Sequence, residues 1–210
     1  MCVSIFGVLA KKCSHTLSHT GPLADFLTTS RPTKYTFFKH MGKHFPLIDD
    51  EETVEKLRDG TKHVHVLLIR NPKKVIMSWN EAVKKGNTQA DAFTMEEIGL
   101  CYMVDVLKKF KNVIVVDSDG LVFSPEKTLK VLCEKIGCGF DEKMMQWESG
   151  PKEFDGAWAD WWYASAHKSE GWSKTATKPD QTPEASLVPL IEANNKFFDQ
   201  LKPLAIDGQE

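Results

Sequence analysis

Apolar positions along this chain alternate between short β-type runs and helical stripes. Tyr35 to Lys39 (YTFFK) is a short aromatic and β-branched run, which predicts a strand. Glu51 to Asp59 sets charges on one side and Val54 and Leu57 on the other, a short helix. Val64 to Ile69 (VHVLLI) is apolar except for His65, as a strand buried on both faces of a parallel sheet must be. Pro72 stands at a first-turn position and opens an amphipathic helix reaching about Lys85. Thr94 and Glu97 have capping-box spacing ahead of a helix to Phe110, whose buried stripe is Ile98, Tyr102, Val106 and Phe110. Val113 to Val116 predicts another buried strand. Ser124-Pro125 then caps a helix with Leu129, Leu132, Cys133 and Ile136 facing inward and Gly137 at its end. Glu184 to Leu201 is a last amphipathic helix, and Cys2 to Ala10 (CVSIFGVLA) is apolar enough for a strand.

Strands alternating with helices imply an α/β fold: a parallel sheet with right-handed crossovers and helices on both sides, in three layers. The 210 residues form one domain on this reading, residues 1–210, with no internal repeat. The least regular stretch, 150–183, is loop-rich. It concentrates Phe154, Trp158, Trp161, Trp162, Tyr163 and Trp172, which form either an aromatic wall over a ligand or a lid packed on the sheet edge.

Composition narrows the class without naming it. With 41% hydrophobic and 27% charged residues the chain is an ordinary globular one. A net charge of −2 gives no reason to expect nucleic acid or an acidic membrane surface as a partner. The charge is uneven, since six Lys/Arg precede Ile48 against the single Asp25. Five cysteines, an odd number at irregular spacing, fit reduced thiols in the cytoplasm better than a disulfide framework. No apolar run approaches the roughly 20 residues a bilayer requires. His15 and His19, like His40 and His44, are four apart, but neither pair has the further ligands of a zinc site, so no metal is expected.

The chemistry concentrates in Arg70-Asn71-Pro72-Lys73-Lys74-Val75-Ile76-Met77-Ser78, at the end of a predicted buried strand and inside the following helix. An arginine there offers a planar, permanently charged fork. The helix start adds a positive dipole end, and Ser78, eight residues after the arginine, adds a hydroxyl. Together they can hold a phosphate at the carboxyl edge of the sheet.

With Asn112 to Leu121 (NVIVVDSDGL) and Ser124 to Phe140 (SPEKTLKVLCEKIGCGF), this segment resembles the sulfotransferase family. Gly150 to Trp172 is similar to a divergent branch of it, sometimes found beside aminotransferase domains. The resemblance covers about residues 35–175. It implies a P-loop NTPase-like fold and transfer of a sulfuryl group from 3′-phosphoadenosine 5′-phosphosulfate (PAPS) to a hydroxyl or amine of a small acceptor, with no metal. It implies nucleotide binding by Arg70 and Ser78 at the 3′-phosphate, with Lys168, in the turn before Gly171, as a third contact. It places Lys39 near the transferred group and leaves His40 and His44 as alternative bases, because Met41 stands where the family's Lys-x-His pattern has its histidine.

The family's N-terminal phosphosulfate loop has no counterpart here: Lys11-Lys12-Cys13-Ser14-His15-Thr16 supplies cations and hydroxyls but no glycine. The fold is therefore expected to be incomplete at its N-terminus, with Met1 to Ala10 docking as a substitute strand. The alternative to a transferase is a catalytically inactive sulfotransferase-fold binding or interaction module. The expected partner is a small-molecule acceptor, not nucleic acid or a membrane, and self-association into a homo-oligomer stays open.

Overall fold

The computed structural model of the chain describes residues 2–7, 34–48, 50–58, 63–84, 94–153, 155, 159, 163–173 and 182–206. Among the described residues, five parallel strands form one sheet: β1 (Cys2–Gly7), β2 (Thr36–Met41), β3 (His63–Ile69), β4 (Val113–Asp117) and β5 (Ala205–Ile206), in the order β2-β1-β3-β4-β5. The α/β expectation holds, and Cys2–Gly7 takes the central position between β2 and β3. The phosphate-loop expectation falls on residues outside those described.

Alternation along the strands sorts the core into two clusters. Phe38, Leu67, Ile69 and Val115 point to one face. There they meet α1 (Glu51–Arg58) through Val54 and Leu57 and α2 (Pro72–Lys84) through Ile76. The same cluster takes in α3 (Met95–Ile98), α4 (Leu100–Lys109) and α7 (Val188–Leu201). Val64, Val66, Ile114 and Val116 point to the other face, where Ile136 and Leu132 of α6 (Pro125–Ile136) cover them. Helices on both sides of a parallel sheet explain why β3 is nearly continuously buried, as its apolar run requires.

Four details depart from the sequence reading. The helix expected through Phe110 is two helices, α3 and α4, broken at Gly99 in the left-handed conformation (φ 77°). Thr94 does cap the first, its Oγ1 accepting from the Glu97 amide at 3.3 Å. Ser124 caps α6 with its carbonyl, which accepts from the Thr128 amide and hydroxyl, and not with its side chain. A short helix α5 (Ser118–Phe123) fills the acidic turn after β4, and β5 is only two residues long.

Gly99 is fixed by more than its φ. A Cβ on Gly42, which opens the six-residue 3-10 helix Gly42–Leu47 after β2, would lie 2.6 Å from the Gly99 carbonyl oxygen. A Cβ on Gly99 would lie 2.9 Å from Gly42 Cα. The two backbones touch, and Lys43 clamps the contact by an ion pair to Glu97 at 2.6 Å. Gly42→Ala should therefore destabilise the fold by about 1–3 kcal/mol, since neither backbone can yield cheaply. Gly139→Ala, whose Cβ meets nothing within 4 Å, should shift stability by less than about 0.5 kcal/mol. Urea unfolding midpoints of the two variants check the contrast; equal midpoints would refute the contact.

Candidate functional site

The strand order reverses direction at β1: its neighbours are β2 on one side and β3 on the other. In open α/β sheets the crevice outside the carboxyl ends at such a reversal is the place where ligands bind. Gly7 at the end of β1 pairs with Leu68, so Ile69, Arg70 and Asn71 extend just past it along the crevice.

Arg70 is exposed and leaves β3 directly into α2. Asn71 caps that helix: its side-chain oxygen accepts from the Lys74 amide at 3.4 Å and its carbonyl accepts from the Val75 amide at 3.2 Å. Pro72, lacking an amide hydrogen, fills the buried first turn at no hydrogen-bond cost. Ser78 is exposed two turns on, roughly 10 Å along the axis from Asn71 by helical rise, and shares the face of Lys74. Among the described residues nothing pairs with the Arg70 guanidinium, whereas Lys74 is bound to Asp119 of α5 at 2.8 Å.

The next strand brings a carboxylate to the same edge. Asp117 is buried at the end of β4, beside Ile69, and caps α5 by accepting from the Asp119 amide at 3.4 Å. Lys202, following α7, is bonded to its other oxygen. That pairing neutralises a negative charge that would otherwise oppose an anion in the crevice.

The three residues expected to serve the transferred group do not converge. Lys39 and His40 are successive residues of β2 and so point to opposite faces. Lys39 is in register with Val66 through β1 and stands on the α6 side as an exposed residue. Protein around its ammonium still lowers its pKa by desolvation. From the strand register Lys39 lies two strands across and four residues back from Arg70, roughly 16 Å between Cα positions.

His40 is buried on the face opposite α6, stacked on Phe38 with ring centroids 6.2 Å apart. Burial, then the nearby His44 and His65, lower its pKa to about 4. His44 is half-buried in the 3-10 turn, and its Nδ1 accepts from the Met41 amide at 3.4 Å. That bond puts the proton of the neutral ring on Nε2 and occupies the nitrogen that would act as base. Burial and Lys43 lower its pKa while Glu97 opposes them.

Lys168 is exposed in a turn of the aromatic segment, and no hydrogen bond or ion pair among the described residues ties it to Arg70. Trp158, Trp161, Trp162 and Phe154 lie outside the described residues. Of the expected aromatic group, Trp172 packs edge-on against Trp147 at 5.7 Å and donates to the Met144 carbonyl. Sequence reasoning missed Asp117 with Lys202, and Asp155 with His167, which meet at 2.8 Å. Separations of 85 and 12 residues are far longer than the spacings of two to four at which residues of one strand or helix are neighbours, so no local pattern marked either pair.

The sulfotransferase domain family matches residues 16–205. The chain belongs to the sulfotransferase family. It is 31% identical over 154 residues to branched-chain-amino-acid aminotransferase-like protein 2 of Arabidopsis thaliana, covering 71% of this chain and 25% of that protein. Against aminotransferase-like protein 1 of the same plant it is 30% identical over 182 residues, 85% of this chain and 30% of the relative. The chain thus spans a quarter to three tenths of the length of these curated relatives. Two solved structures share the fold. The sulfotransferase domain from the curacin biosynthetic pathway has a TM-score of 0.57 at 16% identity, over 81% of this chain and 63% of that one. The sulfotransferase domain from the Synechococcus PCC 7002 olefin synthase has a TM-score of 0.53 at 18% identity, over 77% and 57%.

The buried histidines of this sulfotransferase-family sheet make its stability pH-dependent. His65, whose Nε2 donates to the Leu57 carbonyl at 3.1 Å, has its pKa lowered to about 4, chiefly by burial, as His40 does. Unfolded histidine protonates below about pH 6.5. Between there and about pH 4 the unfolded state therefore holds more protons, and stability rises with pH. The contribution is complete above about pH 6.5 and is lost as pH falls toward 4. Acidification from about pH 7.5 to about pH 5 should cost on the order of 2 kcal/mol per histidine. Urea unfolding at the two pH values should show that loss roughly halved in His40→Gln or His65→Gln; an undiminished loss would mean that these histidines are not its source.

Proposed function

We propose that this chain is a PAPS-dependent sulfotransferase domain acting on a hydroxyl or amine of a small acceptor. One observation carries the reading: Arg70, unpaired among the described residues, stands with the start of α2 at the sheet's reversal point. The guanidinium and Ser78 hold the 3′-phosphate of the nucleotide. For both to reach one phosphate, the arginine lies back along the exposed face of α2, over Lys74. Lys39, across β1, faces the transferred group, and its desolvated ammonium offsets charge on the sulfuryl oxygens more strongly than a fully hydrated one. Lys168 closes on the nucleotide from the aromatic segment. In the transfer the acceptor oxygen bonds to sulfur, the sulfur–oxygen bond to the phosphate breaks with its electron pair on the phosphate, and a base takes the acceptor proton. Free Cys101, Cys133 and Cys138 fit the reducing cytoplasm. Among the described residues no helix is long and apolar enough to cross a membrane.

A second reading, an inactive nucleotide-binding module on the same fold, draws on His40. A base whose conjugate acid has a pKa of about 4 is a poor proton acceptor at neutral pH. Nucleotide binding is common to both readings and is tested first. Calorimetry with 3′-phosphoadenosine 5′-phosphate should show saturable binding, weakened about ten- to a hundredfold by Arg70→Ala, the loss of a charge-assisted contact of about 1.5–3 kcal/mol. Ser78→Ala should weaken it by no more than roughly tenfold. No binding, or binding indifferent to Arg70→Ala, would overturn the assignment. Sulfate transfer from PAPS to an acceptor panel then separates enzyme from module.

A further inference from the structure

Away from the crevice, sulfur atoms gather at the C-terminal end of α6. The helix closes there with two backbone bonds: the Cys138 amide donates to the Cys133 carbonyl at 2.9 Å, and the Gly137 amide donates to the Glu134 carbonyl at 3.0 Å. Gly137 takes the left-handed conformation (φ 80°) that this closure requires. Such a helix end brings the side chain just past the glycine onto one in the last helical turn, here Cys138 onto Cys133. The two thiols are in hydrogen-bond contact, and Cys133 Sγ also donates to Met144 Sδ at 3.9 Å.

The chain between Cys138 and Met144 is held in place. Lys130 lies over the Phe140 ring at 5.3 Å. Asp141 caps the turn Glu142–Met145: its Oδ1 accepts from the Lys143 amide and its carbonyl from the Met144 amide, each at 2.9 Å. Tyr35, just ahead of β2, donates through its hydroxyl to the Gly137 carbonyl at 2.7 Å. That bond puts the cluster beside the amino end of the sheet, away from the crevice at its carboxyl ends.

The donors decide which ion they suit. Thiolates and thioethers are soft ligands and select monovalent copper, whereas a neutral thioether suits a hard cation poorly. Zinc sites normally use four ligands drawn from thiolate, imidazole and carboxylate. Among the described residues no three His, Cys, Asp or Glu side chains gather closely enough to hold a metal ion. Sulfurs about 2.3 Å from one ion in a trigonal plane stand roughly 4 Å apart, and Cys133 and Met144 are already at that spacing. Burial, and then Cys138, pushes the Cys133 thiol up to about 11. A thiol so placed is a poor nucleophile at neutral pH, but a bound cation supplies the charge that stabilises a buried thiolate. Met144 is partly exposed, which gives an ion a way in.

We propose that Cys133, Cys138 and Met144 form a binding site for one monovalent copper ion, held by two thiolates and a thioether. Two thiol protons leave for solvent as the ion enters, and no electron is transferred. The site stands independently of the transferase reading.

Cuprous ion is titrated without oxygen into the full chain in competition with bicinchoninate, whose copper complex is coloured. The chain should withdraw an equivalent of copper, and X-ray absorption at the copper edge should show sulfur neighbours at about 2.3 Å. Met144→Leu, close in volume, should weaken retention roughly tenfold or more, since even a partner behind a metal ligand is worth that much. Cys138→Ser should abolish it. Cys101→Ser, which alters a thiol of α4 outside the cluster, should leave it unchanged. No copper withdrawn by the unmodified chain, or a shell of nitrogen and oxygen around the ion, would overturn the proposal, and neither outcome depends on how a variant folds. Undiminished retention in Cys138→Ser or Met144→Leu would overturn the ligand assignment. Displacement of the copper by an equal concentration of zinc ion would overturn the choice of a soft monovalent ion.

Discussion

Because β1 lies between β2 and β3, the strands that follow it in sequence stand on opposite sides of it. That single reversal sets the carboxyl ends of β1 and β3 side by side, and the other features of the candidate site follow from it. β3 must be buried on both faces to sit mid-sheet, so the first residue able to carry an exposed charge is the one after it, Arg70. The chain must then turn into a helix at once, and Asn71 and Pro72 make that turn with little loss of backbone hydrogen bonding. β4 ends beside Ile69 and brings Asp117 to the same edge, where Lys202 restores charge balance. A cationic edge between buried strands is a consequence of topology as much as of composition, in a chain whose net charge is −2.

A second constraint holds the other half of the site. The Gly42–Gly99 contact brings the turn after β2 against the start of α4 at backbone distance, which no pair of larger residues allows. Lys43 and Glu97 lock the contact, so His44 is held in a fixed electrostatic setting between a cation and a carboxylate. The strand before it has no such latitude. Its period of two sends Lys39 to one side of the sheet and His40 to the other, and no rotamer brings them together.

That period also explains how far the sequence could be read. β3, β4, α1, α2 and α6 were legible because each is an uninterrupted period bounded by Pro, Gly or a cap. The break at Gly99 was hidden because Ile98 and Leu100 are both buried and the apolar stripe runs across the interruption. β5 is too short to show any period; what specifies Ala205 and Ile206 is the edge of β4 beside them. The placement of Arg70 and Ser78 at the end of β3 and in α2 was legible because both belong to one strand–helix junction. Lys39 and His40 were legible as residues and misleading as a pair, since adjacency in sequence is separation in a strand. Asp117 with Lys202 and Asp155 with His167 are products of tertiary packing, with no local signature to find.

The histidines show how burial divides labour across the sheet. A general base works best when its pKa lies near the operating pH. His40, lowered to about 4, is far from that, and His65 is lowered equally while its ring stacks on Phe110 at 4.2 Å. Both are accommodated on the helical face as neutral, flat, polar-edged side chains within an apolar cluster, and their neutrality is what the cluster requires. The opposite side of β2 tolerates a charge, because Lys39 remains exposed there. The sheet therefore keeps its titratable core neutral on one side and presents a cation on the other.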